Sequence, residues 1–333
     1  MAGAVIRVES PARLHLGFVD LNGDLGRRFG SLGLAISGLG TTVLAEPSGE
    51  LVVSGLDAAR AERHARAVLS ALDLSARLRL TIEQTVPAHA GLGSGTQLAL
   101  AVAAAIAAYA GLDLPAAELA AITGRGARSG IGIAAFEQGG FIVDGGRGPH
   151  TVAPPVLARL PFPETWRVVL VFDYVADGLN GAAESAAFRA LPPMTADAAG
   201  ELARLTLVGI LPALAERDFA LFGRSLGRVQ ALIGDYFAPA QGGSGYTSPR
   251  VAEAVGWAAR EFGLEGVGQS SWGPTGFVFT PDGEQAAALR QALVARYAAE
   301  SGLGFEICSA RNHGAGTLRV ARTKQARTVG ELE

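Results

Sequence analysis

The sequence predicts an α+β fold in two domains, and three observations carry that prediction. Strand-like and helix-like runs alternate at no fixed period, which excludes a solenoid and a doubly wound sheet. Apolar residues make up 49% of the 333 and charged residues 18%, enough for a sizeable core and too apolar for disorder. Midway, Pro149, Pro154, Pro155, Pro161 and Pro163 punctuate a connection that reads as a domain boundary. The expected division is 1–155, 156–325 and a polar tail over 326–333.

Residues 4–9 and 13–19 read as strands, followed by a glycine-rich loop over 22–33. Residues 41–46 and 50–54 read as a hairpin joined by Pro47-Ser48-Gly49. An amphipathic helix over 58–72 and a strand over 78–87 come next. The run 98–112 is too Ala-rich and too long for a strand, so it reads as a buried helix. A helix over 115–123, a short helical segment over 129–136 and a strand over 139–144 complete the first half. Beyond the boundary the pattern predicts a strand over 167–173, helices over 198–214 and 218–233, and a glycine loop over 241–245. A helix over 248–262, strands over 267–271 and 276–280, a helix over 282–301 and strands over 304–309 and 316–321 follow.

Composition removes several kinds of function. Net charge is −3 with no basic block, so nucleic acid is not the expected partner. One cysteine, Cys308, permits no intrachain disulfide and fits a reducing cytoplasm as a buried, inert thiol. The amino terminus lacks a signal-type core, and the apolar run after Gln97 falls short of the roughly 20 residues of a membrane span. A soluble cytoplasmic protein with no membrane partner is expected, and a homodimer on base rates alone. The sole lysine is Lys324, in the tail. No Gly-Lys pair can form a nucleotide P-loop, and pyridoxal phosphate would have only that tail lysine to bind. His15, His64, His89, His150 and His313 show no metal-ligand spacing, so a structural zinc site is not expected. Gly130-Ile131-Gly132 follows no clear strand and lacks a later acid, which rejects it as a dinucleotide fingerprint.

The segment that carries chemistry is Pro87-Ala-His89-Ala-Gly91-Leu92-Gly93-Ser94-Gly95-Thr96-Gln97. A glycine-dense turn there joins a strand to the start of a helix. Unpaired N–H groups, the helix dipole and the absence of Cβ atoms together make an anion site. Gly91, Leu92, Gly93, Ser94, Gly95, Thr96 and Gln97 are the expected phosphate binders.

This segment resembles the second motif of the GHMP kinase superfamily, P-x-x-x-G-L-G-S-S, which cradles ATP phosphate. The resemblance implies an S5-like amino-terminal domain and a ferredoxin-like carboxy-terminal domain with ligands between them. Two positions depart from the kinases. Their S-G-[IV]-D motif, whose acid takes the substrate's hydroxyl proton, is Ser129-Gly130-Ile131-Gly132 here, and their P-G-K is Pro11-Ala12-Arg13. Segments 13–23, 129–146 and 268–275, with Ser270-Ser271-Trp272-Gly273-Pro274-Thr275 the most specific, are more similar to one atypical branch, the beta-ribofuranosylaminobenzene 5'-phosphate synthases.

That resemblance implies condensation of 4-aminobenzoate with phosphoribosyl pyrophosphate, releasing CO2 and pyrophosphate, in tetrahydromethanopterin biosynthesis. It also explains the missing acid: the group leaving the nucleophilic ring carbon is CO2, not a proton. Arg13 and His15 alternate on one strand face. With Asp20 they form the expected catalytic group, Arg13 on phosphate and His15 either on substrate or a hydrogen-bonded core residue. Ser129, Gly130, Ser270, Ser271, Trp272 and Gly273 are expected around the substrate. Arg27, Arg28 and Arg311 are further anion-binding candidates, the first two on a loop that would close over the sugar. Mg2+ is expected to bridge the pyrophosphate, with Asp20 and Asp144 as either its ligands or turn residues. Two alternatives stay open: an ATP-dependent small-molecule kinase lacking the acid, and a silent relative that binds a phosphorylated metabolite.

Overall fold

The computed structural model describes residues 4–176 and 181–321. The first sheet opens with β1 (Ala4–Asp20) and β2 (Phe29–Pro47), a long antiparallel pair. The expected break between 9 and 13 is absent. Pro11, which has no N–H to give, sits where the register shifts, so a bulge absorbs it and the strand runs on. The predicted loop over 22–33 is also shorter than expected, because β2 starts at Phe29. Its glycines serve packing as well as turns: a Cβ at Gly33 would lie 2.0 Å from Ile131 Cγ2.

Next come β3 (Val52–Gly55), α1 (Ala58–Ala71) and β4 (Leu78–Gln84). The predicted hairpin over 41–46 and 50–54 does not form. β4 inserts between β2 and β3, and β3 pairs with β4 in parallel. A parallel pair needs a crossover, and α1 supplies it. Helix α2 (Ser94–Ala110) is apolar all round, and eleven of its residues are buried. Such a helix can lie only in a core. It is followed by α3 (Ala116–Ile122), α4 (Ile131–Glu137), β5 (Phe141–Asp144) and β6 (Val156–Leu160).

The second sheet runs β7 (Arg167–Asp173), then helices α5 (Gly181–Ala190), α6 (Ala196–Leu205), α7 (Leu211–Glu216), α8 (Phe219–Phe237) and α9 (Pro249–Phe262). Strands β8 (Val267–Gln269) and β9 (Thr275–Thr280), helix α10 (Gly283–Arg296) and strand β10 (Leu303–Ser309) complete it. Its order, β10-β7-β9-β8, is the split βαβ of a ferredoxin-like layer. A turn of π-helix over Thr206–Ile210 joins α6 to α7. The continuous stretch Ala196–Glu216 is long and apolar enough, by length and composition alone, to cross a membrane. Here it packs on α8, with Leu202, Ile210 and Leu214 buried.

Strand β11 (Gly316–Ala321) returns to pair with β1, Ala4 opposite Ala321. The first sheet therefore holds β6 and β11, both beyond position 155. The tail over 326–333 and Lys324 lie outside the described residues. One core spans the junction, with Leu14 and Leu16 of β1 in the same cluster as Leu226 and Val229 of α8. Cys308 is buried, and burial, with Glu306 adding, pushes its thiol up to about 12.

Candidate active site

A cavity of about 410 Å³ opens where α2 begins. Arg13 reaches it from β1 and Arg60 from α1. Gly91 and the segment 93–96 form one side, with Arg125 and Arg128 from the connection between α3 and α4. Ser271, Trp272 and Gly273 close it from the second sheet. Helix α2 starts at Gly93 in the left-handed conformation with no side-chain cap, so its first turn offers backbone donors to a ligand. The predicted anion loop is thus where four guanidinium groups meet it, and the cavity lining contains no aspartate or glutamate.

The two sheets touch here backbone to backbone. A Cβ at Gly91, whose φ is +76°, would stand 2.2 Å from Ser270 O, and one at Gly273 would stand 2.4 Å from Ala90 C. Only glycine permits that approach. Ser270 is fully buried; its Oγ donates to Gly91 O at 2.8 Å and accepts from His15 N at 3.1 Å. It clamps three segments and does not face the cavity. Ser271 N donates to His15 O at 3.1 Å and holds φ at +57°. A non-glycine residue in that region is strained, and such strain clusters at binding sites.

Arg13 Nη1 donates to Gly91 O at 2.6 Å, and Arg13 N donates to Leu92 O at 3.1 Å. The expected face-sharing with His15 is present, since the two lie two residues apart in an unbroken part of the β1–β2 ladder, opposite Ala35 and Gly33. Burial, then Arg13 and Arg128, lower the His15 pKa to about 3. His15 is a neutral core histidine 4.7 Å from the Phe18 ring, and its Nδ1 has no hydrogen-bond partner. A base that weak cannot serve at neutral pH.

Several expected site residues are used elsewhere. Leu92 is buried in the core, and Gln97 points inward, its Nε2 on Gly132 O at 2.8 Å. Asp20 Oδ1 accepts from Asn22 N and Gly23 N at 2.7 and 3.1 Å, an Asx turn after β1. Asp144 is fully buried. Its Oδ2 accepts from Ser129 Oγ and Gly130 N and its Oδ1 from Gly146 N. Desolvation raises its pKa and those bonds oppose the rise. With both oxygens engaged it anchors the loop, together with Ser129 and Gly130, and lies outside the cavity. Arg27 donates to the carbonyls of Gly145 and Gly146, and Arg28 pairs by backbone with Arg147. Arg311 donates to Gly314 O and Glu9 O. None of these lines the cavity. Among the described residues no three of His, Cys, Asp or Glu gather as a metal site would require.

Arg60, Arg125, Arg128 and His89 line the cavity without having been assigned to it from the sequence, and His64 braces Arg125 from outside the lining. Arg125-Gly-Ala-Arg128 directly precedes the Ser129-Gly130 motif, a legible signal. The contribution of α1 is tertiary and left none. Gly132, where the kinases carry their acid, packs against α2: a Cβ there would lie 2.9 Å from Thr96 Cγ2. A carboxylate there would have to displace the Thr96 side chain.

Residues 58–140 match the GHMP kinase amino-terminal domain and residues 210–299 the GHMP kinase carboxy-terminal domain. The chain is 35% identical to a beta-ribofuranosylphenol 5'-phosphate synthase of Methanothermobacter thermautotrophicus, across 67% of this chain and 74% of that one. A protein of the same name from Archaeoglobus fulgidus is also 35% identical, over 68% and 76%. Among solved structures, the homoserine kinase of Cytophaga hutchinsonii superposes with a TM-score of 0.66 at 18% identity. That match covers 94% of this chain and 97% of that one, and it shows a shared fold. The Lactococcus lactis galactokinase gives 0.68 at 16%, over 94% and 95%. The chain belongs to the GHMP superfamily, and within it to the family of the beta-ribofuranosylphenol 5'-phosphate synthases.

Proposed function

We propose that the protein is a decarboxylating phosphoribosyltransferase that joins a para-substituted benzoate to C1 of phosphoribosyl pyrophosphate. The observation that carries this reading is the cavity itself. It brings an anion-binding helix start and four arginines together with no carboxylate, beside Trp272. Such a site suits a polyanion and a leaving group on which negative charge grows, and its lining, which includes His89, offers no carboxylate to act as the base a kinase would use. In the reaction proposed, the C1–oxygen bond breaks and its electron pair leaves with pyrophosphate. The ring carbon bearing the carboxylate, pushed by its para donor, bonds to C1. The carbon–carboxylate bond then breaks, CO2 departs, and its electron pair restores the ring. No proton leaves the nucleophile, which agrees with glycine standing at position 132, where the kinases carry their acid. Arg13 and the loop stabilise the departing pyrophosphate. Mg2+ enters as part of that substrate, since the lining offers no carboxylate to hold it.

The acceptor proposed from the sequence is 4-aminobenzoate, the product being beta-ribofuranosylaminobenzene 5'-phosphate of tetrahydromethanopterin biosynthesis. The relatives' name, which specifies a phenol, favours 4-hydroxybenzoate as a second reading. The test supplies phosphoribosyl pyrophosphate, Mg2+ and either acid labelled at its carboxyl. Labelled CO2 released in step with pyrophosphate is expected, and the faster acid identifies the acceptor. Consumption of ATP with an alcohol panel and no CO2 from either acid would make the protein a kinase. Binding without turnover in both assays would make it a silent relative.

A further inference from the structure

The cavity has two cationic ends, and the loop that crosses it supplies the scale. Its glycines face different partners in turn: Gly91 abuts Ser270 and Gly273, Gly93 abuts the Arg13 side chain, and Gly95 abuts the Arg125 guanidinium. Trp272 and Arg13 therefore stand toward one end, and Arg125 and Arg60 toward the other, with His64 holding Arg125 from outside the lining. Resting on the transferase reading above, we propose that the Arg125 end, with Arg60, is a second anion subsite that holds the 5'-phosphate of the sugar, His64 positioning Arg125 from behind. Pyrophosphate occupies the Gly91–Gly93 end.

Three observations support the assignment. First, the Arg125 end has excess positive charge. Arg60 Nη2 pairs with Asp57 at 2.6 Å, whereas Arg125 is held by an uncharged partner, Nη2 to His64 Nε2 at 3.1 Å. No carboxylate acts on Arg125 among the described residues; burial and the like charge of Arg60 both lower its pKa. Two neighbouring guanidinium groups, only one of which has a carboxylate partner, are stabilised by a bound dianion.

Second, His64 is kept neutral. Burial, then Arg125, Arg60 and Arg63, bring its pKa down to about 4, so it accepts from Arg125 and fixes the planar fork in place. Third, the chemistry divides the two ends. Charge on the leaving group grows during reaction, which suits the backbone donors at the start of α2 next to Trp272, where the acceptor must meet C1. The 5'-phosphate keeps its charge throughout and needs only a rigid cationic seat, far from the acceptor. Arg125 binds and positions; it takes no part in bond breaking.

The test is calorimetric titration of the full chain with ribose 5-phosphate and with pyrophosphate, separately and together. In the wild type both bind, and saturating pyrophosphate leaves a site for ribose 5-phosphate. Arg125→Gln weakens ribose 5-phosphate at least tenfold and pyrophosphate less than threefold; Arg13→Gln does the reverse. Arg125→Lys, which keeps the charge on a similar stem, recovers part of the loss and shows that the fold survives. Equal weakening of both ligands in Arg125→Gln would overturn the assignment, as would mutual exclusion of the ligands on the wild type. Binding of pyrophosphate but not ribose 5-phosphate would also overturn it while leaving the transferase reading intact. Failure of both ligands to bind the wild type would remove the transferase reading itself.

Discussion

At the scale of single residues, position on a strand was legible and protonation was not. Alternation placed Arg13 and His15 on one face of β1, and the structure agrees. That His15 would be sealed among Phe18 and its neighbours, beside Arg13 and Arg128, depended on contacts from distant segments. The consequence is a pH dependence with a definite sign. The folded chain holds His15 neutral down to about pH 3, while the unfolded chain protonates it near 6.5. Between those values the unfolded state binds the extra proton, so stability falls as the pH falls and is fully retained above about 6.5. At pH 4.5 this amounts to about 2–3 kcal/mol. His15→Gln cannot take up that proton. Urea unfolding of both proteins at pH 7 and 4.5 should show the wild type losing more stability on acidification, by about that amount. Equal losses would mean that His15 titrates normally in the fold.

At the scale of elements, the reading succeeded where local pattern and tertiary demand coincide. The apolar run that became α2, the strand β7 and the strand-turn-strand of the second sheet needed nothing beyond their own period. It failed where a partner decided the outcome. The segment over 50–54 was read as a hairpin arm because Pro47-Ser48-Gly49 is turn chemistry, yet β4 took its place beside β2. The start of β2 was read as loop because its glycines, such as Gly33, signal a turn when the helix they accommodate is not known. Gly132 combines both lessons. Its lack of a side chain reads as a lost catalytic acid, and the structure adds that a side chain there would press on Thr96 of α2. Gly132→Asp should therefore not restore kinase chemistry. It should push Thr96 from the start of α2 and cost about 1–3 kcal/mol, the usual size of overpacking. A lowered melting temperature with no ATP turnover is the expected result. Unchanged melting, or transfer from ATP to an alcohol, would show that the space exists.

For the whole molecule, the site lies at a junction that the chain ties at its far end. After β10 completes the second sheet, residues 310–315 cross back to the first. Ala310 bridges Ile36, Asn312 exchanges hydrogen bonds with the Phe162 backbone, and β11 then pairs with β1 along six residues. Together with the core shared by β1 and α8, this links the layers, so heat should unfold the full chain in one cooperative transition. Removing residues 316–333 would strip the ladder from β1 and leave residues 4–9 as an open edge, a template for aggregation. Removing only 322–333 keeps the ladder. The shorter chain should melt well below the longer one, lose the single transition and aggregate on heating. Its ligand affinity should fall as well, although no cavity residue has been removed, because Arg13 is carried by the same β1. Calorimetry of the two truncations decides the matter: superimposable single transitions would mean that β11 is an appendage, and that the domains are held together by the Gly91–Gly273 contact and the shared core alone.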